Sequence, residues 1–429
     1  MKSVLYFFFL VTSLFAQQGE WQIVQTPVNA NLKFIHAIDS SNIWAAGDSG
    51  YILYTSDLGK NWSIQRMNEN FNINDIFFLN DSLGWAVENG NDGINVINNL
   101  LRTTDGGKVW QSNRFRPDNV IIYSICFKDS NYGIIGGEGI FSFTSNGGID
   151  WNEINRDSAL FSNFPVRKLR YVNDTIAFAV GGYYDFGGVI WHSYDSGRNW
   201  ITDSAYADPF FDFLLLNDST IITIASDIER SFPSAVFKTT NLGASWLFNE
   251  IPYYGVSRGI SKRTIAEIWA TYQREFIYSS DGGHNWFTKS TPDGIEVFDI
   301  TFLDSIQGFA VAENGKFLKY IPSTLNVENN NLIDENGFTL LQNFPNPFNS
   351  STNIQIVLLI NNFIKLYITN SIGEKLLTLF DGNLSKGLHN FKFQGDFLAS
   401  GVYFYVLEVA NPNQFQLNHR AIGKMILLK

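Results

Sequence analysis

One eight-residue pattern occurs six times in this chain and constrains its fold more than any other feature. The copies run Thr55-Ser-Asp-Leu-Gly-Lys-Asn-Trp62, Thr103-Thr-Asp-Gly-Gly-Lys-Val-Trp110, Thr144-Ser-Asn-Gly-Gly-Ile-Asp-Trp151, Ser193-Tyr-Asp-Ser-Gly-Arg-Asn-Trp200, Thr239-Thr-Asn-Leu-Gly-Ala-Ser-Trp246 and Ser279-Ser-Asp-Gly-Gly-His-Asn-Trp286. The shared form is Ser/Thr-x-Asp/Asn-x-Gly-x-x-Trp. From Asp57 through Asp105, Asn146, Asp195 and Asn241 to Asp281, the steps are 48, 41, 49, 46 and 40 residues. A fixed period in this range marks an array of similar supersecondary units.

The pattern has the chemistry of a tight turn. An Asp or Asn side chain, helped by the Ser/Thr hydroxyl, accepts hydrogen bonds from backbone amides just ahead of it. The glycines (Gly59, Gly107, Gly148, Gly197, Gly243, Gly283) supply a positive φ that other residues reach only with strain. Each Trp opens the next strand and is expected to bury its ring beside the neighbouring sheet. These Asp residues are therefore read as structural rather than as metal ligands or catalytic carboxylates.

The segments between boxes repeat as well. An apolar strand ends in a polar turn such as Asn80-Asp-Ser82 or Asn217-Asp-Ser219, and a second strand such as Gly84-Trp-Ala-Val87 or Gly308-Phe-Ala-Val311 follows. A glycine-rich turn, a third strand, the box and a fourth strand complete the unit. Four short strands per unit is a propeller blade. Six units end in a box, and a seventh at 297–320 has three strands and no box. Trp21-Gln-Ile-Val-Gln-Thr-Pro27 looks like a fourth strand without a blade. Joining these two gives seven blades and a ring closed by a non-covalent strand, which removes the open sheet edge. Composition agrees: 16% aromatic residues, 17% charged residues and 35 Gly against 11 Pro suit short strands and glycine turns. The chain is expected to be all-β, a seven-bladed β-propeller over residues 17–320 followed by a small antiparallel β-sandwich.

These repeats resemble the BNR/Asp-box propellers, especially the branch similar to photosystem II stability/assembly factors. That resemblance implies the fold; a propeller serves many functions.

Two further segments bear on destination. Met1-Lys2-Ser3 followed by the apolar run to Ala16 reads as a secretory signal peptide over 1–16, too short to span a bilayer. Residues 321–338 are polar and Asn-rich and read as a linker. The 339–429 region alternates like a sandwich and carries Asn343-Phe-Pro-Asn-Pro-Phe-Asn349, Gly373, Gly401-Val-Tyr403 and Lys424-Met425. These residues look like the C-terminal sorting domain of the bacterial type IX secretion system. Within the motif Asn343, Pro345, Asn346, Pro347, Phe348, Asn349, Gly373, Gly401 and Tyr403 match; Phe344 and Ser350 depart from the pattern. The resemblance implies export through the periplasm, the type IX machinery as a partner, and a secreted or cell-surface protein.

For function, the reading is a non-catalytic binding or scaffold protein with an unknown protein or polysaccharide ligand. The alternative is a secreted glycoside hydrolase, because Asp-box propellers include sialidases and xyloglucan-cleaving enzymes. A sialidase-like site needs an Arg cluster for the substrate carboxylate, and residues 17–54 hold no Arg. The net charge of −11 disfavours nucleic acid. The five His show no metal-ligand spacing, no cofactor motif appears, and the mature chain shows no membrane span. Cys126, in an apolar strand, reads as a buried structural thiol. The loops opposite the boxes offer Tyr183, Tyr184, Asp185, Arg230, Tyr253 and Tyr254 as a candidate binding face. Asp75, Ser124, Lys168, Asp212 and Asp299 share one repeat position in the innermost strands and are expected near the channel mouth.

Overall fold

The computed structural model describes residues 19–429 except 157–160, 185, 207, 323–337, 342, 344, 345, 347, 359, 397, 411–416 and 429. The signal segment 1–16, most of the linker, Asp185, Pro345 and Pro347 lie outside the described residues. The chain divides into two compact units, with the division after Pro322.

The first unit is all-β and consists of seven sheets in chain order. Blades 1 to 6 span residues 32–66, 72–115, 121–153, 166–206, 210–250 and 260–290, each an antiparallel meander of four strands. Blade 4 gains a fifth strand, because the short segment Asn155–Arg156 pairs parallel with the start of its outer strand. Blade 7 takes three strands from residues 297–321 and its fourth from Glu20–Gln25. Trp21 faces Tyr320 and Gln25 faces Lys316 in that pairing. The ring therefore closes with the N-terminal strand, as the unmatched Trp21 segment predicts. Tyr320 adds its hydroxyl, which accepts the Gly19 amide at 2.9 Å.

All six boxes have one geometry. In the box of blade 2, Thr103 Oγ1 donates to Asp105 Oδ1 at 2.8 Å and accepts the Gly107 amide at 2.9 Å, while the Val109 amide reaches Asp105 Oδ1 at 3.0 Å. The same three bonds recur at Thr55/Asp57, Thr144/Asn146, Ser193/Asp195, Thr239/Asn241 and Ser279/Asp281. The six glycines have φ between +84° and +91°, a region where a Cβ is strained. The Val109 amide, then the Thr103 hydroxyl, hold the Asp105 carboxyl below its usual range. Each box carboxylate or amide is thus spent on its own turn.

The box tryptophans bury less than the turn chemistry suggests. Trp200 and Trp286 are buried, but Trp62, Trp110, Trp151 and Trp246 are half-buried. Four fully enclosed indoles lie one or two strands further in, Trp44, Trp85 and Trp269 in second strands and Trp191 in a third strand, and Trp200 matches them from an outer strand. Trp44 Nε1 donates to Gly106 O at 3.1 Å and Trp85 Nε1 to Gly147 O at 3.2 Å, so each indole ties its blade to the box turn of the next. Outer strands face solvent, so four of the six box indoles stay half-buried, with Trp200 and Trp286 the exceptions.

The second unit packs a three-stranded and a four-stranded antiparallel sheet over one core that includes Ile354, Ile356, Leu366, Phe393, Tyr405 and Leu427. The motif residues stitch its start to its last strand. Asn343 is buried and its side-chain amide donates to Thr352 Oγ1 at 2.9 Å. Asn346 Nδ2 donates to Lys424 O at 2.9 Å and its Oδ1 accepts the Ile426 amide at 2.8 Å. Phe348 is buried and bridges Leu427. Asn349 is exposed, Gly373 turns with φ +88°, Gly401 opens a strand, and Tyr403 donates to Ala399 O at 2.8 Å. Among the described residues no helix is long and apolar enough to cross a membrane.

Candidate functional site

The seven first strands stand around the propeller axis, and six of them carry a β-bulge at one repeat position. The irregularities fall at Lys33, Asn74, Tyr123, Arg167, Phe211 and Phe298. Arg258 stands at the matching point just before the first strand of blade 6. A bulge leaves one residue unpaired and re-aims its side chain. Here it turns one side chain per blade toward the end of the channel opposite the boxes.

Blades 3 to 6 build the densest part of this rim. The Arg167 guanidinium lies 5.1 Å from the Tyr123 ring, 4.8 Å from Tyr184 and 5.1 Å from Phe211. Arg258 is exposed and sits 5.7 Å from the other reach of Phe211. Glu138, the carboxylate beside them, accepts Tyr123 at 3.2 Å and Tyr183 at 3.0 Å. Among the described residues neither arginine makes an ion pair, whereas Lys33 on the far side pairs with Asp48 at 2.6 Å. Arg167 Nε donates to Gly182 O at 3.4 Å, and a guanidinium packed against rings in this way presents its remaining N–H groups to a planar anion.

The candidate face is therefore brought together in part. Tyr183 and Tyr254 are exposed, and Tyr184 belongs to the Arg167 stack. Arg230 is exposed at a left-handed turn with φ +59°. Tyr253 departs from the expectation: it is half-buried against the core of blades 5 and 6, with its hydroxyl donating to Trp286 O at 3.0 Å. Its aromatic ring met apolar neighbours, and its hydroxyl found a backbone acceptor. The sequence reading does not single out the rim arginines. Their signal is the residue just before the shared repeat position, which a bulge re-aims at Arg167 and which stands just ahead of the strand at Arg258.

One residue further on, the shared position lines the channel. Asp75, Asp212 and Asp299 each accept their own following amide and an amide of the next blade. The pairs are Ile76 at 3.1 Å and Ile125 at 3.0 Å, Phe213 at 2.8 Å and Ile260 at 3.1 Å, and Ile300 at 2.8 Å and Ile35 at 3.0 Å. Ser124 reaches the next blade with its hydroxyl, which accepts the Leu169 amide at 3.3 Å and donates to Asp75 at 2.9 Å. Lys168 pairs with Asp75 at 2.9 Å, and Arg170 with Asp212 at 2.8 Å. These residues are interior staples between blades, deeper than a channel mouth.

Burial pushes the Asp299 carboxyl up to about 7; Asp212 adds to the rise, and Lys168 and the two amides oppose it. Burial likewise lowers His36 to about 4, so its ring is neutral, and pushes the Cys126 thiol up, away from nucleophilic chemistry. Among the described residues no three His, Cys, Asp or Glu side chains gather into a metal site.

No protein-family model and no curated protein matches this chain. Solved structures do. The chain is similar to YCF48 bound to D1 peptide, at 19% identity and a TM-score of 0.57, over 72% of this chain and 98% of that one. YCF48 from Cyanidioschyzon merolae gives 19% identity and 0.57 over 70% and 99%. The GH74 xyloglucanase from Xanthomonas campestris gives 10% and 0.54, over 95% of this chain and 68% of that one. At these identities the likeness shows the β-propeller fold alone.

Proposed function

We propose that this protein is a non-catalytic binding or scaffold module, and that it takes a carboxylate-bearing polypeptide segment on the rim opposite the boxes. The observation that carries this reading is Arg167, packed among three aromatic rings and, among the described residues, without a carboxylate partner. Arg258 beside it doubles the charge. Planar, charge-assisted pairing to a carboxylate is what such a guanidinium does best. The structure of YCF48 bound to D1 peptide supports peptide capture as a use for a similar propeller.

The test is a peptide array probed with the intact protein, comparing acidic segments with amide-capped or neutralised versions. Arg167→Gln together with Arg258→Gln should weaken the best hit by about tenfold or more, with the melting temperature unchanged. Array hits that ignore the double substitution, or turnover of a polysaccharide by the protein, would refute this reading.

Export is part of the same proposal. The N-terminal apolar run and the C-terminal motif support passage through the periplasm and then a type IX route to the outside. Deleting residues 339–429 should leave a folded propeller behind in the periplasm of the native host. Normal levels of the truncated protein in the medium would remove the sorting role.

A further inference from the structure

Three aspartates share one repeat position and one backbone cradle, and two of them also hold a cation from the chain. At Asp75, Oδ1 takes Lys168 in addition to the Ile76 amide. At Asp212, Oδ1 takes Arg170 in addition to the Phe213 amide. Asp299 has the same two amides, and among the described residues no Lys or Arg reaches ion-pair distance of it.

The repeat shows why. Arg170 comes from the first strand of the blade before Asp212 and sits opposite Phe178 of its own second strand. The matching residue in the blade before Asp299, opposite Trp269, is Ser261. Its hydroxyl accepts the Phe302 amide at 3.0 Å and brings no charge.

Asp299 and Ser261 both line a cavity of about 550 Å³ on the propeller axis. All seven first strands contribute to it, and Asn173 and Asp174, in an exposed turn on the box side, mark its opening. Phe77, Phe213, Leu214 and Ile300 give it apolar wall. Of its three lining cations, Lys168 and Arg170 are matched by Asp75 and Asp212, and Lys128, at the opening, donates to Asp174 O at 3.1 Å with the Asp174 carboxylate also in the lining, which leaves an ionised Asp299 as the surplus charge.

We propose that this box-side channel is a binding site for an organic cation, with an ammonium or guanidinium group seated against Asp299 and its alkyl part against the apolar wall. The site is separate from the arginine rim and does not depend on the peptide reading. Burial raises the proton affinity of Asp299, and Lys168, which is paired with Asp75, offsets that rise only in part. The groups around it are Lys168 and Arg170 from blade 4, Asp212 from blade 5, Asp75 from blade 2 and the neutral His36 from blade 1, and Cys126, Lys128, Tyr171 and Asp174 complete the titratable lining of the cavity. With the first four forming two pairs, Asp299 sets the pH dependence.

The experiment is calorimetric titration of the full chain with n-butylammonium, with butyrate as the charge-reversed control. Saturable binding of the ammonium and none of the butyrate is expected at pH 8. Affinity should fall on acidification through pH 7 as Asp299 takes a proton, approaching about tenfold per pH unit below its pKa. Asp299→Asn should lose at least tenfold in affinity and the pH dependence with it. Because that change also disturbs two backbone bonds, Ser261→Arg provides a second route: it restores the internal cation, leaves Asp299 in place and should abolish binding. Nα-acetyl-lysine amide and spermidine, run alongside, distinguish a protein-borne from a free amine by whichever binds more tightly. No saturable binding in the parent, equal binding of butyrate, or undiminished binding in both variants overturns the proposal.

Discussion

Trp85→Ala is expected to destabilise the propeller by about 3–5 kcal/mol, the usual range for emptying a large aromatic site in a core. Trp85 is only 2% exposed. Its ring stacks on Phe127 of the next blade with centroids 3.6 Å apart and planes 7° from parallel. The indole N–H is also the donor to Gly147 in that blade's box, so the variant loses a blade-to-blade hydrogen bond and leaves a cavity. Trp110→Ala should cost less, because that ring is half-buried and meets Phe78 edge-on at 5.7 Å. Equilibrium unfolding in denaturant checks both. Equal losses for the two variants would mean that radial depth does not set the energetic weight of these indoles.

Removing residues 19–27 should have a still broader effect, because it opens the ring. Six residue pairs join Glu20–Gln25 to Lys316–Ile321. Trp21 packs among Trp269, Phe276, Phe302 and Tyr320, with centroids 5.0–6.0 Å away. Lys289 of blade 6 donates to Gly19 O at 2.6 Å, so the strand holds two blades. Without it, the edge strand of blade 7 presents unpaired amides and carbonyls beside exposed aromatic rings, a template for association. Size-exclusion chromatography should show loss of monomer, and limited proteolysis should begin in blade 7. A synthetic 19–28 peptide added in trans should restore the monomer. A truncated protein that stays monomeric and equally protease-resistant would show that blade 7 is stable with three strands.

Acidic and basic residues of the two sites differ in how readable they were. Asp105 could be assigned from its neighbours alone, since its partners Thr103 and Val109 lie within four residues. Asp75 could be placed at a repeat position, but its partner Lys168 is 93 residues away. Tyr183 and Tyr253 look alike in the chain, yet one is exposed and hydrogen-bonded to Glu138 while the other is wedged against blade 6. Nothing local separates them, because the difference is made by the loop's path between blades.

What the sequence determined by itself follows from short-range chemistry repeated with a period. Box turns, strand alternation, the count of seven blades and the closing role of Trp21 all rest on hydrogen bonds and side-chain patterns within one unit. What only the tertiary structure decided lies where units meet: the gathering of Arg167, raised by a bulge, and Arg258, just ahead of its strand, onto one rim, the deeper burial of Trp85 than of Trp110, and the missing cation at Asp299. Each of those depends on which residues of different blades are brought within a few ångströms around a common axis. A repeat shows which positions correspond, but only closure of the ring makes corresponding positions neighbours.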